Sequence, residues 1–487
     1  MGGLMTQQLS QERPADPDSA RSPVDRFFQI TRRGSTMSRE LRGGLTTFVA
    51  MAYIVMLNPL ILGSSADATG AALTSEQLTT ATAVTAGVMT ILMGMIGNAP
   101  LALAAGLGVN AVVAFTIAPS MTWAQAFGLV VLEGVLIVVL AVSGIREKII
   151  NAIPAPLKTA LTVGIGLYIA LIGLVSAGFV TRKPDAANTT VPVQMGEGGH
   201  LLGLPIAVFC FSLLLMIVLM ARRVPGAILI AIGVSTVLAI VLNAATGLPA
   251  DAWGTIAPEM PESFVASPDF SLFGQVDLFG GFASAGGIAA TVFLFTLVLS
   301  GFFDAMGTIT SVGSEAGLSR NGKIEGMGRI LAVDGVAAAA GGLTGSSPNT
   351  VFLESATGVA EGARTGLASV VTGFLFCLTL LFTPLAAVVP AQAAAPALVV
   401  VGGMMMGQAR HIPWNDPDFV IPAFLTIALI PFTYMITNGI GAGLVAFSVI
   451  KLAKGKPREI GWLVGILSLV FVVYFGVEGI ETLFGAK

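Results

Sequence analysis

The sequence is poor in charge and in the residues that do covalent chemistry. Of its 487 residues only 10% are Asp, Glu, Lys or Arg, against about a quarter in a soluble domain. There are two cysteines and two histidines. Cys210 and Cys377 lie inside apolar runs, which makes them small buried hydrophobes and not a disulfide or a metal pair. His200 and His411 fall at segment edges. No zinc spacing, phosphate-binding glycine loop or Ser–His–Asp arrangement is present, which speaks against a hydrolase or an ATP-driven pump. No catalytic residue, metal or cofactor follows from the sequence, and no nucleic-acid partner is expected. There is no signal-peptide pattern either, because the N-terminal charges lead into a full-length apolar segment.

What is abundant is oil. Hydrophobic residues make up 55% of the chain and the mean hydropathy is +0.88. These values specify an all-α polytopic membrane protein. The 59 glycines predict close helix packing and interrupted helices. After a polar tail over residues 1–40, spans are expected at 41–63, 78–97, 100–118, 123–144, 153–176, 201–220 and 226–248. A polar, acidic loop covers 249–285. Seven more spans follow at 286–308, 326–343, 347–360, 364–390, 394–408, 418–436 and 437–453.

Charge placement agrees with that division. With the N-terminus cytoplasmic, inner loops hold Arg146, Lys148, Arg222, Arg223, Arg320, Lys323, Arg364, Arg410 and the basic run from Lys451 to Arg458. Outer loops hold only Arg182 and Lys183, and 249–285 has Asp251, Glu259, Glu262, Asp269 and Asp277 with no basic residue. A further apolar stretch at 459–481 either spans or packs along the cytoplasmic interface.

Within this frame the stretch 343–358, LTGSSPNTVFLESATG, stands out. Ser346, Ser347, Pro348 and Asn349 break a helix before it starts. A helix from about Thr350 to Ala360, at roughly 1.5 Å per residue, covers about half of a ~30 Å hydrocarbon layer. Glu354 sits in its middle, and a carboxylate at membrane depth points to function. The third span, 98–115, has the same plan: a proline, an extended-favouring run, then a small-residue helix bearing Asn110. Paired irregular segments in the two halves mark a transporter's site, unless these Gly/Pro segments merely kink.

Other candidates gather around these two. Asp304 and Thr308 share one face of the eighth span, unless Asp304 is a solvated helix-end carboxylate. Glu354 could instead pair with Arg364, and Asn110 could be packing glue between helices. Glu133 and Asp334 also lie within spans but lack helix breakage, so they read as supporting or interface groups. Phe303 adjoins Asp304, Phe352 precedes Glu354 by two positions, and Tyr53 and Phe115 lie in neighbouring segments. Such rings offer a flat heterocycle a face, while carboxylates read its N–H edge.

RGGLTTFVAMAYIVMLNP (42–59), GLGVNA (106–111), FFDAMGT (302–308) and SSPNTVFLESATGV (346–359) resemble the signatures of the Azg-type purine permeases of the nucleobase–cation symporter-2 class. The resemblance extends over roughly 40–455. It implies a uracil-transporter-like 7+7 inverted repeat with 14 spans, in which short β-strands precede the half-helices of broken spans 3 and 10. It also implies a core domain of spans 1–4 (41–144) and 8–11 (286–390). This core moves against a gate domain of spans 5–7 (145–248) and 12–14 (391–455), usually in a homodimer. The segment 456–487 lies outside that pattern as a C-terminal hydrophobic helix. Matched by motif, the substrate-binding positions are Gly108, Asn110, Asp304 and Glu354. Uracil-transporter-like relatives carry Glu and His one turn apart on span 8, where this chain has Asp304 and Thr308, so no histidine relay carries over.

The function expected is import of purine bases with protons by alternating access, across the inner membrane. Glu354 and Asn110 would pair with the base's edges, Phe303 or Phe352 would cover a face, and Asp304 with Glu354 would couple the proton. The alternatives are an anion transporter of the same fold and a channel.

Overall fold

The computed structural model describes residues 22–143, 154–182, 193–254, 257–261, 263, 265–320 and 323–483. Arg146 and Lys148, expected inside, Lys183, expected outside, the loop residue Glu262 and the first 21 residues of the expected tail lie outside these. Among the described residues, nine helices are long and apolar enough to cross a membrane. Shorter apolar helices occupy 107–120, 417–433 and 462–476. A helix lies within every segment expected to span.

Their ends follow from local chemistry. Thr74 and Gln77 form a reciprocal capping box that opens Ser75–Leu92. Asp416 accepts from the Asp418 amide ahead of Pro417 and so starts Pro417–Thr433. Glycines set the crossings. A Cβ at Gly166 would lie 2.8 Å from the Gly402 carbonyl, and one at Gly43 would lie 2.8 Å from that of Gly358. Helix backbones therefore touch at both points, as small residues permit in lipid.

Two groups of helices pack mainly among themselves. Met37–Met51, Ser75–Leu92, Trp123–Ser143, Met327–Thr344 and Gly366–Thr379 form one. Ala155–Ser176, Leu204–Ala221, Ala227–Thr246, Ala391–Met406, Pro417–Thr433 and Ile436–Ala453 form the other. The Trp462–Leu483 helix packs on Ile436–Ala453. Lys451 fixes this corner, donating to Asp418 and to Glu459 at 2.6 Å each, with Lys454 also on Asp418.

Three boundaries differ from expectation. The eighth helix runs Gly287–Glu315 and does not stop near 308. Thr310 and Ser314 return their hydroxyls to carbonyls four residues back, so polar residues stay helical until Gly317 at φ +75°. Asp304 is therefore roughly three turns from the helix end, which removes the reading of a carboxylate at a helix terminus. In the tenth segment, Asn349–Val351 is a strand and only Ser355–Ala360 is α-helix. Glu354 is thus the residue before the helix and not its middle, because β-branched Thr350 and Val351 are taken up in strand pairing. The part of the expected tail from Ser22 onward is also pinned. Arg33 donates to the Asn98 and Arg364 carbonyls at 2.5 and 3.3 Å, and Ser35 donates to Gly362 at 2.9 Å.

Candidate functional site

The site begins with two strands of three residues each, Leu103–Ala105 and Asn349–Val351, paired antiparallel as Leu103↔Val351, Ala104↔Thr350 and Ala105↔Asn349. A two-stranded ribbon has two open edges, and in so buried a place each unpaired backbone group is costly. Side chains close them. On one side, Thr90 takes the Leu103 amide at 2.9 Å and donates to its carbonyl at 3.0 Å. On the other, Asp334 accepts from the Val351 amide at 3.1 Å and the Thr350 hydroxyl at 3.0 Å. The ends are tied by Gly106 to Pro348 at 3.0 Å and Phe352 to Ala102 at 2.9 Å.

The ribbon launches two short helices, Leu107–Val112 and Ser355–Ala360. The long Gly287–Glu315 helix packs against both and against the second strand. That convergence brings Asp304 and Glu354 into one neighbourhood. Glu354 is half-buried, and its Oε1 accepts a 2.5 Å hydrogen bond from the fully buried Tyr53 hydroxyl. Asp304 is exposed although its helix packs against several others. The two carboxylates are near enough to act on each other's charge. Arg364 is not Glu354's partner; its guanidinium donates to the Val359 and Ala363 carbonyls at 2.6 and 2.7 Å.

The remaining candidates fall in different places. Asn110 is fully buried with both ends of its amide engaged. It donates to Asn58 Oδ1 at 2.7 Å and accepts from Ser347. Asn58 in turn donates to Thr82 at 2.6 Å and Ser346 at 2.9 Å. This network joins the first, second, third and tenth segments, and in this conformation it spends the amide that was expected to read substrate. Gly108 is half-buried against Ile165; a Cβ there would lie 2.8 Å from Ile165 Cγ2. Thr308 is buried one turn from Asp304, and Phe352 is buried in the core beside the ribbon. The side chain of Phe303 lies outside the described residues.

Sequence reasoning missed the partners. The sequence presents Tyr53 as a ring, but its hydroxyl is what reaches Glu354. Tyr168 and Tyr434 were not singled out. Their rings lie 5.0 Å apart, and both meet Phe115 edge-on at 6.4 and 5.6 Å. This cluster joins the third segment to the second helix group. The available signal was a rarity of tyrosine, four in all.

Comparison with known proteins places this geometry in context. A family model described as a permease family matches residues 38–442. The chain is 34% identical over 458 residues to the guanine/hypoxanthine permease PbuG of Bacillus subtilis, covering 92% of this chain and 98% of that one. It is 34% identical over 455 residues to the adenine permease AdeQ of Escherichia coli, covering 92% and 95%. Among solved structures, the transmembrane domain of a cyanobacterium bicarbonate transporter BicA has the same fold at TM-score 0.56. It is 17% identical, with 84% of this chain and 96% of that one covered.

Proposed function

Because the chain belongs to the permease family and is a multi-pass membrane transporter rather than an enzyme, we propose that it imports purine nucleobases with protons by alternating access. The observation that carries this is the meeting of Glu354, Tyr53 and Asp304 from three segments of the chain. A purine presents N–H donors along its edge, and a half-buried carboxylate held at one oxygen has the other to offer. Guanine, hypoxanthine and adenine are the bases named for the relatives, and their class is the substrate class proposed here.

In this reading Glu354 accepts from the base. Asp304 takes the coupled proton and with Glu354 forms the proton-sensitive pair. Gly108 and Thr308 border the base, and Phe352 or Phe303 covers its face. Asn110 acts one step back, holding the half-helix bearing Gly108 in register with Ser347. Binding of proton and base favour each other by linkage. A bicarbonate-transporter fold does not shift this toward an anion, because two carboxylates facing one region repel anions.

The architecture proposed is fourteen spans in an inverted repeat of seven and seven, with the third and tenth broken. Spans 1–4 and 8–11 form a core and spans 5–7 and 12–14 a gate, and the separate packing of the two helix groups supports that division. The Phe115–Tyr168–Tyr434 cluster would then be a contact that the moving core makes and breaks. The N-terminus is cytoplasmic, 249–285 is extracytoplasmic, the membrane is the inner one, and the working unit is a homodimer.

The test is uptake of radiolabelled hypoxanthine in cells lacking their own carriers, with a panel of competing bases and a proton uncoupler. Glu354→Gln is expected to remove uptake while leaving membrane insertion intact. Normal transport by that variant refutes the site.

A further inference from the structure

Glu133 has no role in the mechanism above, yet among the described residues it is the buried acid with neither oxygen hydrogen-bonded. It lies in the middle of Trp123–Ser143, its side chain is fully buried, and neither carboxyl oxygen has a hydrogen-bond partner. An ionised carboxylate so placed carries a penalty of several kcal/mol with no hydrogen bond to offset it.

What surrounds it is specific. The helix of Glu133 crosses Met327–Thr344 in backbone contact, where a Cβ at Gly134 would lie 2.5 Å from the Gly335 carbonyl. Glu133 and Asp334 lie on the two helices that meet at this crossing. Asp334 is the charged group that acts on Glu133, and Asp304 acts on Asp334 in turn. Glu133 also touches the Asp304 helix directly: a Cβ at Gly301 would lie 2.5 Å from its Oε1. Gly301 is one helical turn from Asp304. The other element packed on this helix, Gly280–Ser284, brings no titratable group, and Arg329 and Glu315 lie toward the ends of their helices.

We propose that Glu133 is a proton-coupling residue, the inner resting place of the transported proton, reached from Asp304 by way of Asp334. In each transfer the O–H bond at one carboxyl breaks as one forms at the next, and the negative charge moves the opposite way. Bringing the proton inward to Glu133 frees Asp304 to change state without losing the proton to water. The inference rests on the proton-coupled reading, and the test separates the two.

The experiment uses the full-length protein in proteoliposomes with radiolabelled hypoxanthine. It compares wild type, Glu133→Gln and Glu133→Asp for counterflow without a pH gradient and for accumulation driven by one. For one coupled proton, a gradient of about one pH unit supports up to about tenfold accumulation. Glu133→Gln is expected to keep counterflow, which needs only a folded carrier, and to lose gradient-driven accumulation. Glu133→Asp, retaining an acid, is expected to recover accumulation and its pH profile. Accumulation by Glu133→Gln with the wild-type pH profile overturns the proposal. So does a parallel loss of counterflow and accumulation in both variants, which marks a packing role only. If wild-type accumulation ignores the pH gradient, the proton-coupled reading itself fails, and that arm shows it independently of Glu133.

Discussion

Replacing Tyr53 with Phe removes one oxygen atom from a fully buried ring and nothing else. That oxygen is the donor of the 2.5 Å bond to Glu354 Oε1. A hydrogen bond to a charged group is worth about 1.5–3 kcal/mol. Glu354 is only half-buried, so water can replace the phenol, and the lower end applies. A loss of about 1.5 kcal/mol corresponds to about tenfold in affinity. Its loss acts on how Glu354 is aimed at the base and not on the conformational cycle. KM for hypoxanthine is therefore expected to rise about tenfold while the maximal rate changes little. Initial-rate uptake across a concentration series measures both. A KM unchanged from wild type would show that Glu354 is aimed by something else, and the geometry of the proposed site would be wrong.

Two further outcomes follow from buried hydrogen bonds. Asn110→Leu leaves Asn58 Oδ1 and the Ser347 hydroxyl only their weaker 3.3 Å bond to each other in a dry network, at about 1–3 kcal/mol for the buried hydrogen bonds lost. Thermal unfolding in detergent should fall by several degrees and transport should be lost; an unchanged melting curve would contradict the joining role. In the loop after the first span, Asp67 accepts from the Thr69 amide and hydroxyl, the Ala71 amide and the Trp123 amide at 2.6–3.0 Å. Burial raises the Asp67 carboxyl, but these donors outweigh it and hold it below the usual range. A depressed folded-state value means the stabilisation is complete above the unfolded value and lost as pH falls through the folded one. Asp67→Asn should be less stable than wild type at neutral pH, with the gap closing below about pH 3.9. A gap that persists in acid would place its cause elsewhere.

Much of the fold is legible because lipid imposes one rule on every span. An apolar run of sufficient length becomes a helix, and Lys and Arg mark its inner side. The helices accordingly lie where hydropathy puts them. The eighth overran its expected end because Thr310 and Ser314 satisfy themselves on their own helix, which a polarity scale reads as a loop. The importance of 346–359 is legible from Pro348, the serines and Glu354, since polar residues there have no lipid-facing explanation. The partners of those residues are not. Tyr53 and Glu354 are 301 positions apart, and Thr90 and Asp334 close the ribbon's edges from two other helices. Nothing local encodes such meetings. Asn110 shows the same limit: its residue type suggests a reader of substrate, while its bonds to Asn58 and Ser347 lie beyond anything its local sequence encodes.

The ribbon also bears on how the chain is made. Leu103–Ala105 leaves the ribosome long before Asn349–Val351, and Thr90 can satisfy only one side of it. Until the tenth segment arrives, the other side has backbone groups that oil cannot accept. The third segment must then wait in water or at the bilayer surface, or borrow a partner from the insertion machinery. Closing so distant a pair is intrinsically slow. Neither half of the molecule is therefore an independent folding unit, and each half completes the other only when the last strand is threaded home.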